Sequence, residues 1–478
     1  MYRMEKTKGR LAFLMVCLLF LSPLLVFSRI SIADRKITTR DVVDRLALGE
    51  GVIKDREGNV IKDGDEGIDA PHYMGNLIGF KTPYGDHVIG NSIEGKLSHL
   101  LYDDIKVNSL RGYRTLDETA VRAMVTTLLP LSSQKEIYRS FRGYNGTIFA
   151  YNYKNGEVYV AMSLPSVNSY SPDEEGEEAG LSKLNIAVNG VTDGHGSTMK
   201  IPSVILAGEQ GIDLEAFRYS CSGKLILSNG EKIDCLYAHG NNLTVTDIIG
   251  LSCNCGIATL ASDFRKEETK QILLNMGFEL RNFSTGENTK IRPQLQEAFA
   301  NRTLSRYFSE IYVSDFVSHR GLWTFIGAGD CMISPVHISM VAGAVASGGE
   351  AAEPVYVRQI TTEDGQTVLD DFTLEDPVLT TLFSRQTAET VRKMWSDATE
   401  ENYREQLPEA VTMVKTGTSQ NEGTIADKSL LCVLEDYDTA LFISVNTAGG
   451  GSNIAFDICD TFCYEMEKTF GAPVHREP

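Results

Sequence analysis

Apolar residues in this chain occur in unbroken, alternating and helically spaced runs, and each kind predicts a different element. The unbroken run is Leu11 to Ser28, which carries no charge and follows Arg3, Lys6, Lys8 and Arg10. Its length is about that needed to cross a hydrocarbon core, and its basic flank favours the cytoplasmic side. A signal peptide cleaved near Ser31-Ile32-Ala33 is the alternative. The run exceeds a usual signal core, which favours an uncleaved anchor. Either reading exports the rest of the chain.

Further on, Gly51 to Ile61 has alternating apolar positions around Gly58-Asn59, a hairpin pattern. Thr115 to Leu131 has helical spacing, with Leu116, Val121, Met124 and Leu128 as its stripe. Strand patterns at 147–151 and 158–162 flank Lys154-Asn155-Gly156, whose turn chemistry predicts a β-hairpin. Helices are expected over 198–208, 243–262, 266–276 and 335–347, and strands over 411–418, 429–434 and 439–446. A closing amphipathic helix carries Ile454, Ile458, Phe462 and Met466 on one stripe.

This order predicts an α/β (α+β) fold: a five-stranded antiparallel sheet flanked by helices, its early hairpin beside its late strands. The expected organisation is a tail at 1–10, a transmembrane anchor at 11–28, a short N-terminal module at 30–110 and a main domain at 111–478.

With 478 residues the chain has ample core, and its net charge of −19 argues against nucleic acid, which needs a basic face. Among nine cysteines, Cys221 and Cys235 bracket a strand-turn-strand stretch and are candidates to pair outside the cell. Cys253 and Cys255 flank Asn254, and Cys459 and Cys463 stand one helical turn apart. Zinc would want Cys-x-x-Cys pairs or nearby histidines, and neither is counted here, so most of these are read as small buried hydrophobes and no metal is expected.

The chemistry is carried by Ser197-Thr198-Met199-Lys200, Ser252-Cys253-Asn254 and Lys415-Thr416-Gly417, in that order. Each triplet alone is weak: Ser132 to Lys135 also spells Ser-x-x-Lys, and Ser166, Ser419 and Ser444 each begin a Ser-x-Asn. Alone, Ser197 would be a plain helix cap, and Lys415 a charge that protects an edge strand.

Together they make sense chemically. A hydroxyl needs an adjacent base, and a lysine one helical turn on reaches it. That base must be neutral, so burial or a nearby cation, for which Lys415 is the candidate, has to lower the pKa of Lys200. A serine at a helix N-terminus has free N–H groups beside it for an oxyanion. Ser252 is placed to relay a proton, Asn254 to fix Lys200, and Lys415 and Thr418 to bind a carboxylate. Gly417 leaves room for substrate backbone beside the strand.

The three motifs in this order are the signature of the serine acyltransferases that penicillin inactivates. The chain resembles the monofunctional (class B type) penicillin-binding proteins. Gly51-Val52-Ile53-Lys54-Asp55-Arg56-Glu57-Gly58, Ile93-Glu94, Thr115-Leu116-Asp117 and the 155–166 hairpin all follow family elements. So do His239-Gly240, Gly327-Ala328-Gly329, Ser334-Pro335 and Ser347-Gly348-Gly349.

The resemblance implies a membrane-anchored D,D-transpeptidase that faces outward and cross-links peptidoglycan stem peptides without a cofactor. Ser197 is then the acylated serine and Lys200 its base, and Ser252 and Asn254 form the second motif. Lys415, Thr416, Gly417 and Thr418 make the substrate strand, and the N–H groups of Ser197 and Thr418 the oxyanion hole. β-Lactams are the implied inhibitors, and glycan polymerisation falls to a separate glycosyltransferase in a wall-synthesis complex.

His195, Ala328 and the strand Ser429 to Leu434 depart from the family pattern, in which proline, glutamine and Trp-Phe-x-Gly are usual. A hydrolase or β-lactam sensor of the same fold and a non-catalytic scaffold are the rival readings. Against a β-lactamase, Gln271 to Asn275 lacks the deacylating carboxylate.

Overall fold

The computed structural model describes residues 51–473 except for 64–65, 80–91, 95–105, 109–112, 116–121, 167–184, 193–194, 282–287, 290–307, 313–314, 363–364, 372–376, 422–423 and 448–452. The expected anchor at 11–28 lies outside the described residues, and no described helix is long and apolar enough to cross a membrane.

The chain begins with β1 (Val52–Lys54) and β2 (Val60–Lys62), paired antiparallel as the alternation around Gly58-Asn59 predicts. The Asp55 carboxylate fixes the turn by accepting the N–H groups of Glu57 and Asn59 at 2.9 Å. Its other oxygen accepts Leu131 N–H at 2.8 Å, at the first residue of α1 (Leu131–Ser140). Lys62, buried on β2, donates to Glu94 at 2.6 Å. Glu94 and Asp55 of the early family elements are therefore structural groups.

β3 (Arg122–Thr126) overturns an expectation: residues 122–126 are strand, where helical spacing predicted helix. It lies between β1 and a later strand, with Ala123, Met124 and Val125 all buried. Burial on both faces erases alternation, so the run reads as easily with helical as with strand period.

The main sheet begins with β4 (Gly146–Asn152) and β5 (Val158–Leu164), the expected hairpin. The middle of the chain supplies α2 (Lys200–Glu209), α3 (Val245–Gly250), α4 (Asn254–Ala261) and α5 (Pro335–Ala346). A single helix over 243–262 was expected; the chain breaks it at Leu251 to Cys253, between α3 and α4.

β6 (Val357–Thr362) and β7 (Val368–Asp371) then complete a sheet in the order β7-β6-β3-β1-β2. α6 (Arg385–Tyr403) was not expected, although Ser384 caps it by accepting Thr387 N–H. It buries Val391, Trp395 and Ala398.

β8 (Met413–Asn421), β9 (Thr424–Leu434) and β10 (Thr439–Asn446) join the early hairpin in the order β8-β9-β10-β4-β5, antiparallel throughout. This is the five-stranded sheet that the pattern predicts. Every residue from Thr439 to Val445 is buried, so both faces of the sheet are covered. α5 packs on β10, β4 and β9, while α7 (Ile454–Phe470) packs on β10 and α1. β8, the edge strand, runs beside α6 and the turn that precedes α2.

Candidate active site

Ser197 lies in a 3-10 turn, Gly196–Met199, that leads directly into α2. Gly196 has φ 48°, a left-handed conformation that glycine adopts without strain, and a Cβ there would sit 2.5 Å from Thr418 N. The turn is thus pressed against the backbone of β8. From the strand side, Gly417 does the same: a Cβ on it would collide with the His195 carbonyl and Ser429 Oγ. Ser429 Oγ in turn donates to the His195 carbonyl at 2.7 Å.

The room at Gly417 therefore goes to the protein's own turn, not to substrate backbone as the sequence suggested. A Gly417→Ala protein is expected to push that turn outward and lose about 1–3 kcal/mol of stability from overpacking. Acylation of Ser197 should slow by roughly 10²-fold through its misplacement. Urea melts and stopped-flow acylation measure the two effects.

Lys200 Nζ lies at the centre of the site. It is 2.8 Å from Ser197 Oγ, 3.0 Å from Ser252 Oγ, 2.8 Å from the Ser252 carbonyl and 2.7 Å from Asn254 Oδ1. The carbonyl and amide oxygens can only accept. In the neutral amine they take both N–H bonds and leave the lone pair for a hydroxyl. Burial pulls the Lys200 ammonium from 10.5 to about 7, against the opposing pull of the Cys253, Cys235 and Cys255 thiols.

Lys415 Nζ donates to Ser252 Oγ at 3.1 Å and to the Thr416 carbonyl at 3.0 Å. Burial first, and the Lys200 charge second, hold Lys415 well below its ordinary value. The sequence argument had offered Lys415 as the cation that lowers Lys200. Burial alone lowers Lys200, and it is the Lys200 charge that adds to the lowering of Lys415.

Ser252 reaches both amines because the chain turns sharply there. Its φ of 53° is rare for a residue with a side chain, and such strain clusters at functional sites. Cys253 then caps α4, accepting Gly256 N–H at 3.3 Å, so Asn254 starts a rigid helix. Asn254 Nδ2 donates to the Asp234 carbonyl at 2.9 Å, which fixes its oxygen toward Lys200.

Thr416 Oγ1 meets the Tyr403 hydroxyl at 3.1 Å, and Thr418 Oγ1 accepts from Lys428 at 3.1 Å. Sequence reasoning missed Tyr403, Lys428 and Ser429. Lys428 lies directly opposite Thr418 in the β8–β9 register, a signal that the strand pattern contained.

The look-alike motifs that begin at Ser132 and Ser444 are placed elsewhere. Ser132 and Lys135 are exposed on α1, and Ser444 is buried in β10. Gln271 to Asn275 lies on a helix, Lys266–Asn275, and has no carboxylate.

Cys253, Cys255, Cys459 and Cys463 are buried, as expected, but the candidate pair is not joined. Cys221 and Cys235 are free thiols 3.7 Å apart. They gather with Cys253 and His239, which the sequence argument had matched to a family element but not weighed as a ligand.

The family described as penicillin binding protein transpeptidase domain matches residues 146–456. No curated protein matches this sequence. Among solved structures, penicillin-binding protein A of Mycobacterium tuberculosis, as a ceftriaxone acyl-enzyme complex, is similar with a TM-score of 0.68. It is 16% identical, and the match covers 88% of this chain and 99% of that one. The D,D-transpeptidase domain of a peptidoglycan glycosyltransferase from Eggerthella lenta gives 0.67 at 17% identity, covering 88% and 98%. Penicillin binding protein 3 of Mycobacterium tuberculosis gives 0.61 at 18% identity, covering 90% and 98%. At these identities the likeness is one of fold.

Proposed function

The chain belongs to the penicillin-binding protein transpeptidase family, and on that premise we propose that it is a class B type D,D-transpeptidase. Its substrates are peptidoglycan stem peptides, joined through an acyl-enzyme on Ser197. The observation that carries the reading is the position of Lys200 Nζ, within hydrogen-bond reach of both the Ser197 and Ser252 hydroxyls.

Neutral Lys200 takes the Ser197 proton as Oγ attacks the carbonyl of the penultimate D-alanine. The oxyanion forms between the N–H groups of Ser197 and Thr418, a pairing supported by the close approach of Gly196 to the Thr418 backbone. As the C–N bond breaks, Lys200 returns the proton through Ser252 to the leaving amine, and D-alanine departs. An amine from a neighbouring stem peptide then attacks the ester, forms the cross-link and restores Ser197.

Lys415, Thr416 and Thr418 bind the terminal carboxylate, with Lys428 beside Thr418 as a further cation. β-Lactams acylate the same serine, as the penicillin-binding protein A acyl-enzyme complex suggests by analogy. The segment 11–28 anchors the protein, with residues 1–10 in the cytoplasm and the catalytic domain outside. A separate glycosyltransferase supplies the glycan strands.

The lifetime of the penicillin adduct tests the reading. A transpeptidase releases penicillin slowly, so the adduct should outlast gel filtration. Turnover within seconds would identify a hydrolase of the same fold instead.

A further inference from the structure

Behind the second motif lies a cluster of donors that the proposed reaction does not use. Cys221 ends the strand Tyr219–Cys221, and Cys235 follows the strand Lys232–Asp234. His239 lies in the loop after Cys235, and Cys253 stands between Ser252 and Asn254. Three sulfurs and a ring nitrogen from these residues all lie within 4.8 Å of one another.

The separations are informative. Cys221 and Cys235 sulfurs are 3.7 Å apart, Cys235 and Cys253 sulfurs 3.8 Å, and Cys221 Sγ is 3.3 Å from His239 Nδ1. A tetrahedral zinc-class ion with sulfur at about 2.3 Å and nitrogen at about 2.0 Å sets edges of about 3.8 Å between sulfurs and about 3.5 Å from sulfur to nitrogen. These three separations match those edges, and the other donor pairs lie within 4.8 Å. A disulfide requires about 2.05 Å.

Two backbone donors point the same way. Cys255 N–H donates to Cys235 Sγ and Gly256 N–H to Cys253 Sγ, each at 3.3 Å. Such bonds stabilise thiolates and orient metal ligands. Cys221 and Cys253 are buried, while Cys235 and His239 are half-buried, which leaves an entry path.

We propose that Cys221, Cys235, His239 and Cys253 hold one tetrahedral thiophilic divalent cation, zinc by its ligand class. Each thiol gives up its proton as the ion binds, so loading releases protons. The ion ties the excursion through residues 219–243 to the turn that carries Ser252 and Asn254. Asp234, whose carbonyl holds Asn254 Nδ2, is the residue before Cys235. These four residues thereby act as positioning residues for the second motif.

Metal analysis of the purified full-length protein, expressed with zinc and without chelators, tests this. The expected result is about one zinc per chain, and on cobalt(II) exchange the intense ligand-field and sulfur-to-metal bands of a tetrahedral thiolate site. Cys253→Ser should lose the ion and His239→Gln should bind it more weakly, while Cys463→Ser on α7 keeps it. If the cysteine variants fail to fold, the cobalt spectrum of the unaltered protein decides. Stripping zinc from the unaltered protein should lower its melting midpoint and slow penicillin acylation by about 10-fold.

Three results would overturn the proposal. One is a folded protein without metal whose mass is lower by two hydrogens, as for a disulfide. Another is a metal-free protein in which the three thiols of the cluster are freely reactive. The third is metal retained in both Cys253→Ser and His239→Gln. Metal content is read without any acyl-transfer assay, so it stands or falls separately from the transpeptidase reading.

Discussion

A Ser197→Ala ectodomain is expected to take up no covalent label from a fluorescent penicillin, while the unaltered protein takes up one molecule per chain. The loss is at least about 10³-fold in acylation rate, as for other enzymes deprived of their nucleophile. No other hydroxyl replaces Ser197 without moving. Ser252 Oγ also touches Lys200, but it accepts hydrogen bonds from the amines of both Lys200 and Lys415. The fold should be almost unaffected. Ser197 is only half-buried, and its hydroxyl's hydrogen bond is with Lys200 Nζ, so the stability change should stay within roughly 1 kcal/mol. Intact mass gives the adduct, and circular dichroism shows that the variant is folded. A labelled Ser197→Ala protein would move the nucleophile elsewhere.

The second large effect belongs to Lys200. Only its neutral form accepts a proton, and burial brings its pKa down from 10.5 to about 7. Penicillin acylation should therefore rise with pH through about 7 and level off above it. Below that point the ammonium has no lone pair and the rate falls about tenfold per pH unit. The groups facing it are Lys415, itself held well below its ordinary value, and the thiols of Cys253, Cys235 and Cys255, which pull the other way.

Lys200→Arg keeps a cation but no usable base, since guanidinium does not deprotonate. It should cost roughly 10²–10⁴-fold at every pH and abolish the inflection. Stopped-flow acylation across pH measures both. A flat profile in the unaltered protein would mean that Lys200 is not the base.

Much of this site was legible because its chemistry depends on short local spacings. Ser197 and Lys200 need only one helical turn, and Lys415 to Thr418 need only a strand. The sheet was legible too, because the 147–151 and 158–162 hairpin has a turn sequence between alternating runs. What was hidden depends on distant partners. Met124 and Val125 read as helical until β1 and β6 are known to flank them. The break at Ser252 has only Gly250, the last residue of α3, to announce it, and Ser252 is held by Lys200 and Lys415 from remote elements. α6 carried its cap, Ser384, in plain view, but its stripe is spread over a mostly polar sequence. The Cys/His cluster was missed because its ligands come from separate strands and a helix cap, not from one compact spacing. His239 was visible four residues after Cys235.

The central claim is acyl transfer, and the most direct measurement uses a peptide ending in D-alanyl-D-alanine together with an acceptor amine. Released D-alanine and the new amide are quantified in the same reaction. The account predicts D-alanine release matched by amide product, both lost in Ser197→Ala. Release of D-alanine with water as the only acceptor would make the protein a carboxypeptidase. Neither release nor a penicillin adduct from folded, metal-replete protein would contradict the account and leave a non-catalytic scaffold.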